Sequence, residues 1–525
     1  MIHLRMPLLI VSLSLSLSAI AEVNLQEADF EQDSSKLYSL STLQSLRSIS
    51  KKQEYQAPYV HDLTNRYKVR SLFVESQDLP IIDIQLTFNA GSARDESIEK
   101  GLYGLANMTA NLLDEGTEFY AAQEVANTFE RLGAQFSINA YRDMFIVRLR
   151  VLSDPKKLEP ALAMMIHLLN HSSFNNSGIK LILNNTQAGQ KQVQENPGRM
   201  RDVRFYRSLY GTHPYAEPTP GTQRSISKIT TKHLRAFRDT FLVAQNMNIA
   251  ITGKLNQREA LKLSERIAGN LPQGQRAPTL PVPEEHNGFN IQHIPFNSSQ
   301  AHVSMGQLGI TRFDPDRLAL EVANQMLGGS GFNSLLMREL RVKRGYTYGA
   351  YSTINSTQAR GVFNISYSTR QDQLLDSIRV AHKTLLDFVQ QPLDQKQLEE
   401  TKAGILRAFP MNFSSNASMN AQLGAIGFYG LPANYLTQYS KQLANLTTKD
   451  VEKAVKLHLN PENLTLVIVS ETLDKQAIQS ILEQNLNSQI TSPAASKPIP
   501  SANPLPPVPD NASPVSVQTD TPASI

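Results

Sequence analysis

The sequence predicts an α+β protein of two homologous domains, each a largely antiparallel sheet with helices packed on one face. Strand alternation, helical periodicity and an internal repeat predict it. Ile82, Ile84, Leu86 and Phe88 share one face while Asp83, Gln85 and Thr87 share the other, the two-residue period of a strand. Apolar residues three and four apart mark amphipathic helices at 160–169 and 374–389. The repeat is carried by four pairs of segments in the same order. TQAGQK begins at Thr186 and TKAGIL at Thr401; ITTKHL begins at Ile229 and LTTKDV at Leu446. SLYG and GFYG place Tyr210 against Tyr429, and NMNIAITG and NLTLVIVS begin at Asn246 and Asn463. Four matches at a nearly constant interval indicate a duplicated domain of roughly 200 residues.

Taken in order, the chain opens on one Arg, a short Leu/Ser run and Ala19-Ile20-Ala21. Small residues at the −3 and −1 positions predict a signal peptide at 1–21 cut before Glu22, and hence a periplasmic or secreted protein. The run is too short and serine-rich to span a bilayer, so no membrane anchor is expected. A polar lead-in follows at 22–57, then a first domain at 58–277. The Pro/Glu/Asn-rich stretch at 278–288 reads as a linker to a second domain at 289–490. The last segment, 491–525, holds nine of the 28 prolines among Ser, Ala and Asn and reads as a disordered tail. The chain has no cysteine, which excludes disulfides and thiolate metal sites. A net charge of +4, spread along the chain, argues against a nucleic-acid surface built from charge.

The stretch GLANMTANLLDEGT, residues 104–117, has the period of a helix that buries Leu105, Met108 and Leu112. Asn107, Ala110 and Asn111 converge on a separate face, at the spacing of a helical metal site. This segment, the duplication, and GGSGFNSLLMRELRVKRGYTYGAYS in the second half resemble the pitrilysin family of inverzincin metallopeptidases. That family includes insulin-degrading enzyme and the mitochondrial processing peptidase. Its active members carry H-x-x-E-H, with two imidazoles on Zn²⁺ and a glutamate as base. The resemblance places Asn107 and Asn111 at the histidines and Ala110 at the glutamate. A third ligand, a Glu roughly 75 residues further on, would fall at 186–190, yet no Asp or Glu lies between Glu159 and Glu195. The motif is therefore vacated, and no metal or cofactor is expected on this chain.

His167 and His171 also stand one helical turn apart, but no base lies between them and no acid follows for more than twenty residues. Surface histidines at a helix end are the simpler reading.

The resemblance implies a role for Arg341 and Tyr348, seven positions apart in RVKRGYTY, as the pair that contacts bound peptide. A guanidinium and a phenol both donate to a peptide carbonyl and strengthen as its oxygen gains charge. The plainer alternative is an arginine capping a helix at 334–340 and a tyrosine packed in a strand. Gly328, Gly329 and Gly331 lack the Gly-Lys-Ser/Thr of a phosphate loop. The resemblance implies a glycine loop near a peptide chamber, compatible with a tight turn feeding the helix.

A lost zinc motif beside a retained Arg/Tyr pair implies the non-catalytic, substrate-binding subunit of a zinc-dependent endopeptidase. Its partner would be a homologous H-x-x-E-H chain that carries the zinc, and its substrate a peptide or unfolded protein. The alternative is a peptide-binding scaffold on a retired peptidase fold, without a protease partner.

Overall fold

The computed structural model describes residues 57–490 other than 330 and 332. The expected leader, almost all of the lead-in and the proline-rich tail lie outside the described residues.

The first half runs β1 (His61–Thr64), β2 (Arg70–Glu75), β3 (Ile81–Phe88), α1 (Leu105–Leu112), α2 (Ala122–Leu132), β4 (Gln135–Ala140) and β5 (Phe145–Leu152). It continues with α3 (Pro155–His171), α4 (Asn176–Glu195), α5 (Pro197–Tyr210), α6 (Gln223–Ile226), α7 (Thr231–Phe241), β6 (Met247–Gly253) and α8 (Gln257–Gly269). The second half runs β7 (Asn290–Pro295), β8 (Gln300–Leu308), α9 (Arg317–Leu327), β9 (Ala350–Asn355), β10 (Val362–Arg370) and α10 (Leu374–Gln390). After it come α11 (Gln395–Ala408), α12 (Asn416–Phe428), α13 (Tyr435–Asn445), α14 (Thr448–His458), β11 (Thr465–Ser470) and α15 (Lys475–Ile490).

The first sheet has the order β1-β2-β6-β3-β5-β4 and the second β7-β11-β8-β10-β9. Without β1, the two orders are the same. In each sheet one pair is parallel, β2 with β6 and β7 with β11, and the remaining pairs are antiparallel. The sequence repeats fall on equivalent elements. Asn246 and Asn463 lead into β6 and β11, and Thr230 and Thr447 stand at the N-caps of α7 and α14. Tyr210 and Tyr429 end α5 and α12.

Those last two helices are exchanged between the halves. Helix α5 of the first half packs on β11, β8 and β7 of the second, and α12 of the second packs on β6, β3 and β2 of the first. The exchange explains an oddity of β3. Its polar face, Asp83, Gln85 and Thr87, is as buried as its apolar face, because α12 lies over it. Each of these three side chains is hydrogen-bonded, Gln85 Nε2 donating to Thr87 Oγ1 at 3.0 Å. Arg150 Nε donates to Asp83 Oδ1 at 2.8 Å, Arg148 Nε to Gln85 Oε1 at 2.8 Å, and Asn420 Nδ2 of α12 to the Asp83 carbonyl at 2.6 Å. Gly424 makes the close approach possible, since a Cβ there would lie 1.9 Å from Gln85 Nε2.

The halves also meet through two equivalent hairpin turns. Asp143, between β4 and β5, is buried and accepts from the Tyr215 hydroxyl and from Gln358 N at 3.0 Å, in the turn between β9 and β10. Ala359 N donates in turn to the Tyr215 oxygen at 3.2 Å.

One buried titratable group gives the second half a pH dependence. His382 on α10 is fully buried, with Nε2 on the Pro461 carbonyl at 2.9 Å and Nδ1 beside Asn485 Nδ2 at 3.2 Å. Burial lowers its pKa from 6.5 to about 4, against the pull of the Pro461 carbonyl. The neutral ring is the folded form, so its stability contribution is whole above pH 6.5 and is lost as pH falls toward 4. That loss reaches about 3 kcal/mol. In urea unfolding at a series of pH values, wild type should lose this much relative to His382→Gln across that window. Parallel profiles would overturn the assignment.

Candidate functional site

The vacated motif sits on α1, whose N-terminus is fixed by a buried acid. Asp95 accepts from Gly104 N at 2.7 Å and Ala106 N at 2.8 Å, two of the helix's unpaired amides. Burial pushes the Asp95 carboxyl well above its usual range, against those amide hydrogen bonds. The sequence reading missed Asp95; the one local signal is an acid upstream of Gly104, whose φ of 96° turns the chain into the helix.

On α1 the three motif positions do not compose a metal site. Asn111 Nδ2 donates to the Asn107 carbonyl at 2.8 Å and to Asn107 Oδ1 at 3.2 Å, so the two amides bond to each other. Ala110 is 3% exposed and belongs to the apolar core of the first half. In the segment where a third ligand would stand, Gln190 accepts from Gln223 N at 2.6 Å and so serves the start of α6. Neutral amide oxygens and a buried methyl do not fit Zn²⁺, which takes thiolate, imidazole and carboxylate.

His167 and His171 lie in the last turn of α3 with ring centroids 4.8 Å apart. His167 Nε2 is 3.2 Å from the Thr117 hydroxyl, and the rings of Phe119 and Tyr120 stand edge-on to it at 5.6 and 5.2 Å. Burial, with the charge of His171 adding to it, lowers the His167 pKa. Among the described residues no acid, cysteine or further histidine joins them at ligand distance.

The second-half candidates form one structural unit. After α9, Gly328 lies so close to β9 that a Cβ would meet Ser352 N at 2.5 Å, and Ser352 N donates to the Gly328 carbonyl at 2.7 Å. Gly329 stands against Gln325, where a Cβ would come within 2.2 Å of its side-chain oxygen. Gly331 has φ 112°, a conformation glycine adopts freely. The chain then enters a helical segment that widens into a π-helical turn, Met337–Val342, carrying Arg341. Such turns recur at functional sites because one extra residue re-aims the side chains. Lys343 N reaches back to the Arg338 carbonyl at 3.0 Å, and Gly345 N closes on the Arg341 carbonyl at 2.9 Å. Glu339 takes Lys343 at 2.7 Å and Arg344 at 2.8 Å. Burial raises the Glu339 pKa, but those two cations together outweigh it and hold the carboxyl below its usual value.

Tyr348 is in the loop before β9 rather than packed in a strand, and it is 85% exposed. Its neighbours hold it outward. Thr347 is buried and its hydroxyl donates to the Gly349 carbonyl at 2.8 Å, while the Tyr346 carbonyl accepts from Thr369 of β10 at 2.8 Å. Tyr351, 48% exposed on edge strand β9, folds its ring back over Gly349. The glycine loop, Arg341 and Tyr348 thus share one mount in the second half, whereas Asn107, Ala110 and Asn111 belong to the first.

Residues 72–223 match the model of the insulinase family, peptidase family M16, and residues 228–405 match that of the M16 inactive domain. A Pseudomonas fluorescens crystal structure described as a peptidase M16 inactive domain is 36% identical, with a TM-score of 0.75, over 79% of this chain and 98% of that one. A relative from Helicobacter pylori, named non-peptidase homolog YmxG, is 24% identical over 78% of this chain and 94% of its own length. The periplasmic protease PqqL from Escherichia coli, 14% identical with a TM-score of 0.69, matches 86% of this chain and 52% of its own. The chain belongs to peptidase family M16, the pitrilysin or insulinase family, as a non-catalytic member with a vacated zinc motif.

Proposed function

We propose that this chain is the substrate-binding subunit of an M16 zinc endopeptidase, acting beside a homologous H-x-x-E-H chain in the periplasm or outside the cell. The observation that carries the reading is the contrast between its two halves. The metal positions hold bonded amides and a buried methyl, while Tyr348 is held out to solvent beside the π-helical turn of Arg341. A guanidinium and a phenol carried on neighbouring turns can both donate to a peptide carbonyl, and both bonds strengthen as its oxygen gains charge. The partner supplies the metal and the base; this chain supplies donors and one wall of the binding chamber. The leader expected at 1–21 is what supports the compartment.

The test mixes this chain with the homologous H-x-x-E-H chain from the same genome and measures cleavage of a quenched fluorescent peptide. Neither chain alone should cleave efficiently. Arg341→Ala should lower kcat/KM of the mixture by about 10²-fold, and Tyr348→Phe by about 10-fold, without loss of complex on gel filtration. Equal rates from wild-type and Arg341→Ala mixtures would overturn the role. A partner chain fully active alone, or peptide binding with no cleavage in any mixture, would favour the scaffold reading.

A further inference from the structure

Among the described residues, one group of three metal-competent side chains draws its donor atoms together: Asp314, Asp316 and His458, all within 4.8 Å of one another. It lies in the second half, apart from the vacated motif and from the Arg/Tyr mount. His458 is the last residue of α14, and Asp314 and Asp316 lie in the turn that opens α9. The end of α14 is fixed by Gln307, whose Nε2 donates to the His458 carbonyl at 2.8 Å and whose Oε1 accepts from Asn460 N at 2.8 Å. Asp316 stands at the N-cap of α9, yet its carboxylate caps no backbone amide. It turns instead toward the ring, with Oδ2 3.0 Å from His458 Nε2. Asp314 Oδ1, which accepts from Asp316 N at 2.9 Å, lies 3.6 Å from the same nitrogen.

Two carboxylates converging on one imidazole nitrogen form a poor hydrogen-bonding set. A single directional N–H serves one acceptor well, and Asp314 Oδ1, 3.6 Å from the ring nitrogen, lies beyond hydrogen-bond reach of it. A divalent cation satisfies all three donors at once. The three side chains are 19–28% exposed, so solvent ions reach them while the neighbouring helices limit their motion. We infer that Asp314, Asp316 and His458 form a binding site for a divalent transition-metal ion of the Zn²⁺ or Mn²⁺ type, with water in the remaining positions. One imidazole with two carboxylates suits these ions, whereas Ca²⁺ and Mg²⁺ prefer all-oxygen shells. The bound ion ties the start of α9 to the end of α14. Helix α9 runs directly into Gly328 and Gly329, so the ion steadies the mount of the glycine loop. The inference does not depend on the proposed partner or on peptide binding.

The test uses the full chain, stripped with a chelator and titrated with Zn²⁺ and, for its absorption spectrum, Co²⁺. One site is expected, weakened at least ~10-fold by Asp316→Asn or His458→Gln and unchanged by a His167→Gln/His171→Gln double variant. Absence of binding, binding undiminished in the Asp316 and His458 variants, or binding lost with His167 and His171 would each overturn the site. A measurement on the wild-type protein is independent of whether those variants fold. Saturating Zn²⁺ should protect His458 from diethyl pyrocarbonate, read by peptide mass, and equal modification with and without the metal overturns the inference.

Discussion

Replacing Asp143 with alanine should destabilise the protein by about 2–5 kcal/mol, since two buried donors lose their acceptor at about 1–3 kcal/mol each. Asp143 receives the Tyr215 hydroxyl and the Gln358 amide, and the guanidinium of Arg94 is held nearby with Nη2 3.5 Å from Gln358 Oε1. Burial raises the Asp143 pKa, against those two hydrogen bonds and the charges of Arg142 and Arg94. Burial likewise lowers the Arg94 pKa, with Asp143 as the first opposing charge. Deleting the carboxylate leaves the Tyr215 hydroxyl and the Gln358 amide without their acceptor, and removes the charge that chiefly offsets the burial of Arg94. Tyr215→Phe removes less and should cost about 1–3 kcal/mol. The two losses should not add, because both variants break the same network. Since it joins the hairpin turns of the two halves, guanidinium unfolding of Asp143→Ala should move to lower denaturant, and the exchanged helices α5 and α12 should keep it a single transition. A loss under 1 kcal/mol with one unchanged transition would remove the network from the joint between the halves.

The second large effect concerns the vacated helix. Ala110→Glu should destabilise the first half by about 3–5 kcal/mol, because the carboxylate enters a packed apolar site without a partner. Adding Asn107→His and Asn111→His supplies two imidazoles one turn apart. Zn²⁺ should then raise the melting temperature of the triple variant more than that of Ala110→Glu alone, a difference that cancels any ion bound elsewhere. Peptidase activity should stay absent, since 159–195 still provides no acid for the third ligand between its ends. An acid introduced within 186–190 is the further change that a working site requires. Cleavage by the triple variant alone would show that the loss of chemistry lies in fewer residues than argued.

The kinship of the halves was legible from short segments because they occupy capped helix starts, helix ends and central strands, where local rules are strict. Arg341 and Tyr348 were recognisable only by spacing within a family motif. The π-helical turn that carries Arg341 leaves no period in the sequence, since it depends on how Gly345 and Tyr346 close back on the helix end. The plain alternative of Tyr348 as a packed strand residue fails because Thr347, one position earlier, takes the buried place.

Sequence alone determined the α+β class, the duplication, and the absence of the family's zinc chemistry from 107–111 and 186–190. These follow from residue identity and from neighbours two to four positions apart. Only the tertiary structure decided that α5 and α12 trade sheets, that the polar face of β3 is interior, and that Asp143 meets Gln358. It likewise brought Asp314 and Asp316 to His458. Each of these pairs residues from distant parts of the chain, and nothing in local periodicity records which surfaces will meet once both cores have closed.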